Sequence, residues 1–140
     1  MLYYANAEGT ALVPVQREVQ LAEGTVAQGR QILLAQLEAA PEPYVSVIPP
    51  GTTLRAFYVT SRGDAFVDLS REAAANHPGG SFTELMTVHA IVNAVTANLP
   101  AIQRVQILVD GKETDTLAGH VDLRRPLARD DSLVATNEVQ

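Results

Sequence analysis

The chain has 140 residues, a formal net charge of −6 and no cysteine. That length suits one domain with its own core, and the missing cysteine excludes disulfides, thiol catalysis and cysteine-ligated metal. The acidic balance argues against a broad nucleic-acid-binding face.

Met1 leads straight into Leu2-Tyr3-Tyr4, which reads as a strand (residues 2–6), so a domain cut from a longer chain is expected. Ala7 to Thr10 reads as a turn. Residues 11–20 alternate, with Val13, Val15 and Val19 on one side. Pro14 lacks an N–H and puts this strand at an edge. A helix is predicted over residues 25–40, with Thr25 and Gln28 as a capping box and Val26, Leu33, Leu37 and Ala40 on one face. Pro41 and Pro43 end it, and a proline-rich connector runs to residue 52. Residues 53–60 and 64–69 form two strands joined by a turn at Ser61-Arg62-Gly63. A short polar helical stretch, 71–76, is broken by His77-Pro78-Gly79-Gly80.

The next helix starts at Ser81, with Ser81 and Glu84 read as a second capping box. Between Glu84 and Arg104 there is no Asp, Glu, Lys or Arg, whereas a surface helix normally marks its wet face with charge. Leu85, Val88, Val92, Val95 and Leu99 make a core-facing stripe. Pro100 closes the helix. Residues 104–109 form a strand, Asp110-Gly111 a primed hairpin turn and 112–117 the return strand. One domain over 1–130 is expected, followed by a polar, flexible tail over 131–140. Hairpins separated by single helices predict an α/β two-layer sandwich, with a mixed or antiparallel sheet and both helices on one face.

Candidate chemistry is sparse. On a strand, His120 and Asp122 would face the same side and could share a proton or a metal. A third ligand or nucleophile is not evident, and the plainer reading has His120 donating to a backbone carbonyl and Asp122 capping a turn. His89 reads as a hydrogen-bonded histidine at the core edge rather than a pH-sensitive contact. The Asp110 to Asp115 run fails the spacing of a calcium loop. Asn93, mid-helix, is expected to bond a neighbouring loop or a partner backbone. Arg124, Arg125 and Arg129, flanked by Asp122, Asp130 and Asp131, read as a solvated segment.

Met86, Ala90, Ala94 and Ala97 lie opposite the Leu/Val stripe. Two readings stand side by side: a weakly solvated alanine face, or a face packed against another protomer or module. On the second, Ala90→Glu breaks self-association and leaves the fold intact.

The segments ELMTVHAIVNAV, VQILVDGKETDTLAGHVDL and PLARD, within residues 84–130, resemble the GerMN domain of sporulation and spore germination proteins. LYYAN, VPVQREV and the 53–69 hairpin also look like that family. Ser81, Glu84, Asn93, Asp110, Gly111, Gly119, His120 and Asp122 are the motif positions, expected to be structural. The resemblance implies a fold similar to ring-building motifs. It further implies an extracytoplasmic place in the cell envelope, behind a lipoprotein signal or membrane anchor that this chain does not carry. The first expectation is a non-enzymatic module that works through protein partners or self-association, with no cofactor, metal or nucleic acid. The competing expectation is a binding module for cell-wall glycan or peptide, which would need exposed aromatics, such as Tyr3, Tyr4 and Tyr44, beside a groove.

Overall fold

The structure is a computed structural model and describes residues 1–135. The first hairpin pairs β1 (Leu2–Ala5) with β2 (Leu12–Val15). Asn6 donates its N–H to Ala11, which sets the alternation of the ladder. Tyr3 and Ala5 therefore turn their backbone groups away from β2, and so does Pro14, opposite Tyr3. That outward position is why a proline is tolerated there.

Helix α1 (Thr25–Gln36) is followed by β3 (Leu54–Val59), β4 (Asp64–Leu69), the single-turn α2 (Glu72–Ala75) and α3 (Ser81–Asn98). Then come β5 (Arg104–Val109), β6 (Lys112–Glu113) and β7 (Leu127–Ala128). The larger sheet runs β3-β4-β5, with β6 and β7 both on the outer edge of β5. Strands β3 and β4 are antiparallel, β4 and β5 parallel. Asp110 and Gly111 both take positive φ, 56° and 80°, as a type I′ turn requires.

The α/β architecture with a mixed sheet is as the sequence predicts, and the strands at 54–59, 64–69 and 104–109 fall where expected. The first hairpin differs: it forms a sheet of its own. Helices α1 and α3 pack on each other and on β3 and β5, and both also touch β1. The helix pair therefore lies between the two sheets. This resolves the uncharged α3, which has apolar layers on both sides. Ala65, Val67, Leu69, Val105 and Ile107 from the large sheet and Leu2, Tyr3, Tyr4 and Leu12 from the small one are all buried.

Both predicted capping boxes are corrected. The N-cap positions are Gly24 and Gly80, and neither helix has a side-chain cap hydrogen bond. Gln28 instead bonds the preceding loop at Ala22 and Gln20, and Glu84 reaches across to a distant segment described below. Helix α1 stops at Gln36, short of the predicted Ala40. The return strand after Asp110-Gly111 is only two residues long, not six.

The expected loose tail does not begin at 131. Asp131–Leu133 is a 3₁₀ turn, Val134 bridges Leu12 in parallel, and Ala135 donates to the Leu12 carbonyl. The rest of that expected tail lies outside the described residues.

Candidate functional site

Three buried polar side chains on the two long helices organise the surface around them. Gln36 Oε1 accepts from the Tyr3 N–H at 2.8 Å and its Nε2 donates to the Tyr3 carbonyl at 2.6 Å. A side-chain amide thus mimics the strand that β1 lacks at this point. Asn93 does the same for Asp130, donating to its carbonyl at 3.0 Å and accepting its N–H at 3.1 Å. The neighbouring-loop reading of Asn93 therefore holds, and the compensation expected for a mid-helix asparagine is this pair of bonds.

Glu84 is the third and carries a charge. It is fully buried. Its Oε2 accepts from the N–H groups of Leu117 and Ala118, both at 3.0 Å, and its Oε1 from the His120 N–H at 2.9 Å. Consecutive backbone N–H groups curled around an anion make a nest, here filled from within the chain. Burial pushes the Glu84 carboxyl up, but the N–H donors of residues 117–121 outweigh it and hold the group below the usual carboxylate range.

His120 Nδ1 stands 3.2 Å from Glu84 Oε1. An ionised carboxylate only accepts, so the neutral ring carries its proton on Nδ1 and leaves Nε2 as an acceptor. His120, Asp122, Asp115, Thr116 and Arg124 line an open depression of about 220 Å³. A carboxylate behind an exposed imidazole is the arrangement that orients a general base. Yet no hydroxyl among the described residues bonds His120 Nε2; Thr116 Oγ1, which lines the same depression, accepts the Gly119 N–H at 2.9 Å. Asp122 caps a turn at the Arg124 N–H and pairs with the Arg124 guanidinium, which holds its carboxyl far below the usual range.

Residues 117–121 form bends and 122–123 are irregular, so there is no strand on which His120 and Asp122 would share a side. Asp122 caps a turn, and the partner of His120 is Glu84 where a backbone carbonyl was expected. Gly119, just before His120, takes φ 101°, with open space around it. Among the described residues, no group of three or more His, Asp or Glu could hold a metal ion.

The expected interaction face is overturned. Met86, Ala90 and Ala94 are buried and Ala97 is half-buried, because the small sheet covers α3 where solvent or a partner was expected. Tyr3 and Tyr4 are buried and Tyr44 half-buried, so the three tyrosines make no surface cluster. His89 is buried and its Nδ1 has no hydrogen-bond partner among the described residues. Arg124 and Arg129 pair with Asp122 and Asp131, as a solvated segment would. A second, larger hollow of about 500 Å³ lies between Ala5, Val45 to Pro50, Pro78, Thr83 and Met86, and is mostly apolar.

Residues 1–115 match the family described as "Sporulation and spore germination", Germane. The chain belongs to that family. A candidate lipoprotein of Clostridium perfringens, solved at 2.5 Å, is 25% identical with a TM-score of 0.69, over 84% of this chain and 78% of that one. The first GerMN domain of the sporulation protein GerM of Bacillus subtilis superposes with a TM-score of 0.68 at 19% identity, over 91% of this chain and 95% of that one. The tandem GerMN domains of the same protein give a TM-score of 0.70 at 19% identity and 99% of this chain, which spans about half (49%) of that structure. No curated protein matches.

The sporulation and spore germination match stops at residue 115, whereas the sequence resemblance ran on through LAGHVDL. Glu84 lies inside the matched region and all its hydrogen-bonding partners lie beyond it. The pattern S-x-x-E at Ser81–Glu84 drew attention to Glu84, though for the wrong bond. Gln36 gave no sequence signal beyond being a polar residue on a predicted buried face.

Proposed function

We propose that this GerMN domain is a non-enzymatic, extracytoplasmic interaction module of a bacterial envelope protein, held to the membrane through a lipid or peptide anchor outside this chain. The observation that carries the reading is the family match over residues 1–115. The lipoprotein description of the Clostridium relative supports the envelope setting. Among the described residues no helix is long and apolar enough to cross a membrane. The geometry is in keeping with an absence of chemistry. Gln36, Glu84 and Asn93 tie chain segments together, and His120 leans on Glu84 with no nucleophile bonded to it among the described residues.

The test is a photocrosslinking scan in the living bacterium, with a crosslinking residue placed in turn at Val45, Tyr58, Phe82 and Arg125. Discrete protein–protein products at one or more positions are expected. A scan with no product, or release of soluble fragments from cell wall by the purified chain, overturns the reading. Peptide or glycan binding is the second reading, favoured by the apolar hollow beside Val45 to Pro50. It predicts that Met86→Trp, which fills that hollow, abolishes binding of soluble cell-wall fragments in calorimetry.

A further inference from the structure

His77 is committed through both ring nitrogens. The Gly79 N–H donates to Nδ1 at 3.0 Å, and Nε2 stands 3.0 Å from Thr87 Oγ1. A backbone N–H can only donate, so Nδ1 carries no proton and the neutral ring keeps its one N–H on Nε2. Thr87 Oγ1 is then the acceptor. Its own proton goes to the Val47 carbonyl at 2.7 Å, with the Thr83 carbonyl at 3.0 Å as the other acceptor in reach. The links all run one way, from Gly79 through His77 and Thr87 to Val47. They join the loop 77–80 to α3 and to the connector at 45–50.

The same three segments wall the larger hollow: Pro78 from the loop, Val45 to Pro50 from the connector, Thr83 and Met86 from α3. The loop is anchored at both ends without His77. The Asn76 side chain donates to the Pro50 carbonyl at 2.7 Å, and the Gly80 carbonyl accepts the Glu84 N–H at 2.9 Å as α3 begins. Between those anchors, the bond into Nδ1 is the one hydrogen bond that Pro78 or Gly79 makes among the described residues. Gly79 takes φ 91°, and a Cβ there would meet nothing within 4 Å. The loop therefore has room to move and a residue that can change its backbone angles.

We propose that His77 is a proton-operated latch on this hollow: a proton on Nδ1 turns the acceptor of the Gly79 N–H into a second donor and releases Pro78 and Gly79 from the wall. Two N–H groups would then point at each other across the present 3.0 Å, with no acceptor between them. Pro78 and Gly80 are exposed, so the released Gly79 N–H turns to water and the opening stays local. Burial lowers the pKa of His77, against the pull of the Glu84 charge. The closed form therefore holds above about pH 6.5, and the latch opens as pH falls through the lower folded value. Few other charges surround the ring. Residues 45–52 and the rest of 76–80 have no ionisable side chain, and Arg71 and Glu72 of α2 pair with each other at 3.8 Å. On α3, Glu84 is held ionised by its own N–H donors, and His89 responds to Asp130. The latch does not depend on what the hollow holds, so it goes beyond the interaction-module reading.

The test is an NMR titration of the whole chain between about pH 7.5 and about pH 5. It follows the His77 ring protons, the backbone order parameter of Gly79 and the methyl group of Met86. One common midpoint below about 6.5 is expected for all three. Across it the Gly79 order parameter should fall from about 0.85 to below about 0.6, while β4 and β5 stay rigid. His77→Asn keeps an acceptor for the Gly79 N–H, as an asparagine does two residues ahead of a turn amide, and takes no proton. In that variant Gly79 should stay rigid and the Met86 methyl unmoved across the range, whereas His89→Leu should leave the transition in place. If His77→Asn does not fold, the wild-type midpoints decide. A ring that takes no proton in this range, a Gly79 that stays rigid once His77 is protonated, or a transition that survives in folded His77→Asn overturns the proposal. Each of these leaves the module reading standing, because that reading is judged by crosslinking in cells.

Discussion

The β3-β4-β5 sheet with its helices and the 114–135 segment are held by different forces. The sheet-and-helix body is bound by apolar packing and continuous ladders: Val67, Leu69, Val105 and Ile107 are all but fully buried. The 114–135 segment has one two-residue strand and a 3₁₀ turn. It is tied down at Glu84 and Asn93, with Leu117 and Leu123 tucked beneath. Packing tolerates small changes of shape because its energy is spread over many contacts. A tether concentrates its contribution in one group, so losing that group strands several backbone donors at once.

The largest effect is expected from Ala90→Glu. It would put a carboxylate into a fully buried site, at a cost of more than about 4 kcal/mol. Loss of cooperative melting is the expected result; a folded, soluble variant would show that α3 is not enclosed by the small sheet. Glu84→Ala comes next, at about 3–4 kcal/mol. Its diagnostic is hydrogen exchange: residues 117–121 should lose protection while β4 and β5 keep theirs. Uniform loss across the chain would erase the distinction between packed body and tethered segment.

Gly29→Ala is expected to cost about 2–3 kcal/mol by overpacking. A Cβ there falls 2.7 Å from Cζ of the buried Phe57 ring. Chemical denaturation should report a global loss, with the 117–121 amides no more affected than the rest. Gln36→Ala is smaller, about 2 kcal/mol, and should expose the Tyr3 amide to exchange before those of β5.

Lowering pH separates the two regions most gently. Burial lowers the pKa of His89 and His77 in the folded chain. The unfolded rings therefore bind protons first, and stability falls as pH drops below about 6.5. Glu84 is also depressed, by its backbone donors against the opposing effect of burial. Its contribution is complete above about pH 4.3 and disappears as pH falls through the lower folded value. Melting temperatures from pH 8 to pH 3 should show both declines. His89→Leu should flatten the first and Glu84→Gln the second; an unchanged second decline in Glu84→Gln would remove Glu84 from the tether.

The packed body was legible in the sequence because it is periodic. Val105, Ile107 and Val109 alternate, Asp110-Gly111 demands positive φ, and Pro100 closes α3, so β5 and its turn fall where the pattern puts them. The tethers are not periodic. Ser81-x-x-Glu84 has the spacing of a capping box, and nothing local distinguishes that from a carboxylate reaching residue 120. The Met86, Ala90, Ala94 and Ala97 face was misread for a related reason. A helix pattern shows that a face is uncharged but not which distant strand covers it, and the cover here is the first hairpin, some eighty residues upstream. The shared side considered for His120 and Asp122 needed a strand, whereas the nest around Glu84 curls residues 117–121 into bends.

The outer edge of β5 is shared end to end by β6 and β7, and the chain leaves the sheet after Glu113 and rejoins it at Leu127. For a protein engineer this is a socket. Leu123 anchors one side of the detour and Leu127 the other, while Arg124 is exposed beside Arg125. A peptide spliced between those two arginines would be displayed without altering either strand pairing, and the detour could change in length between related chains while the sheet beneath it stays the same.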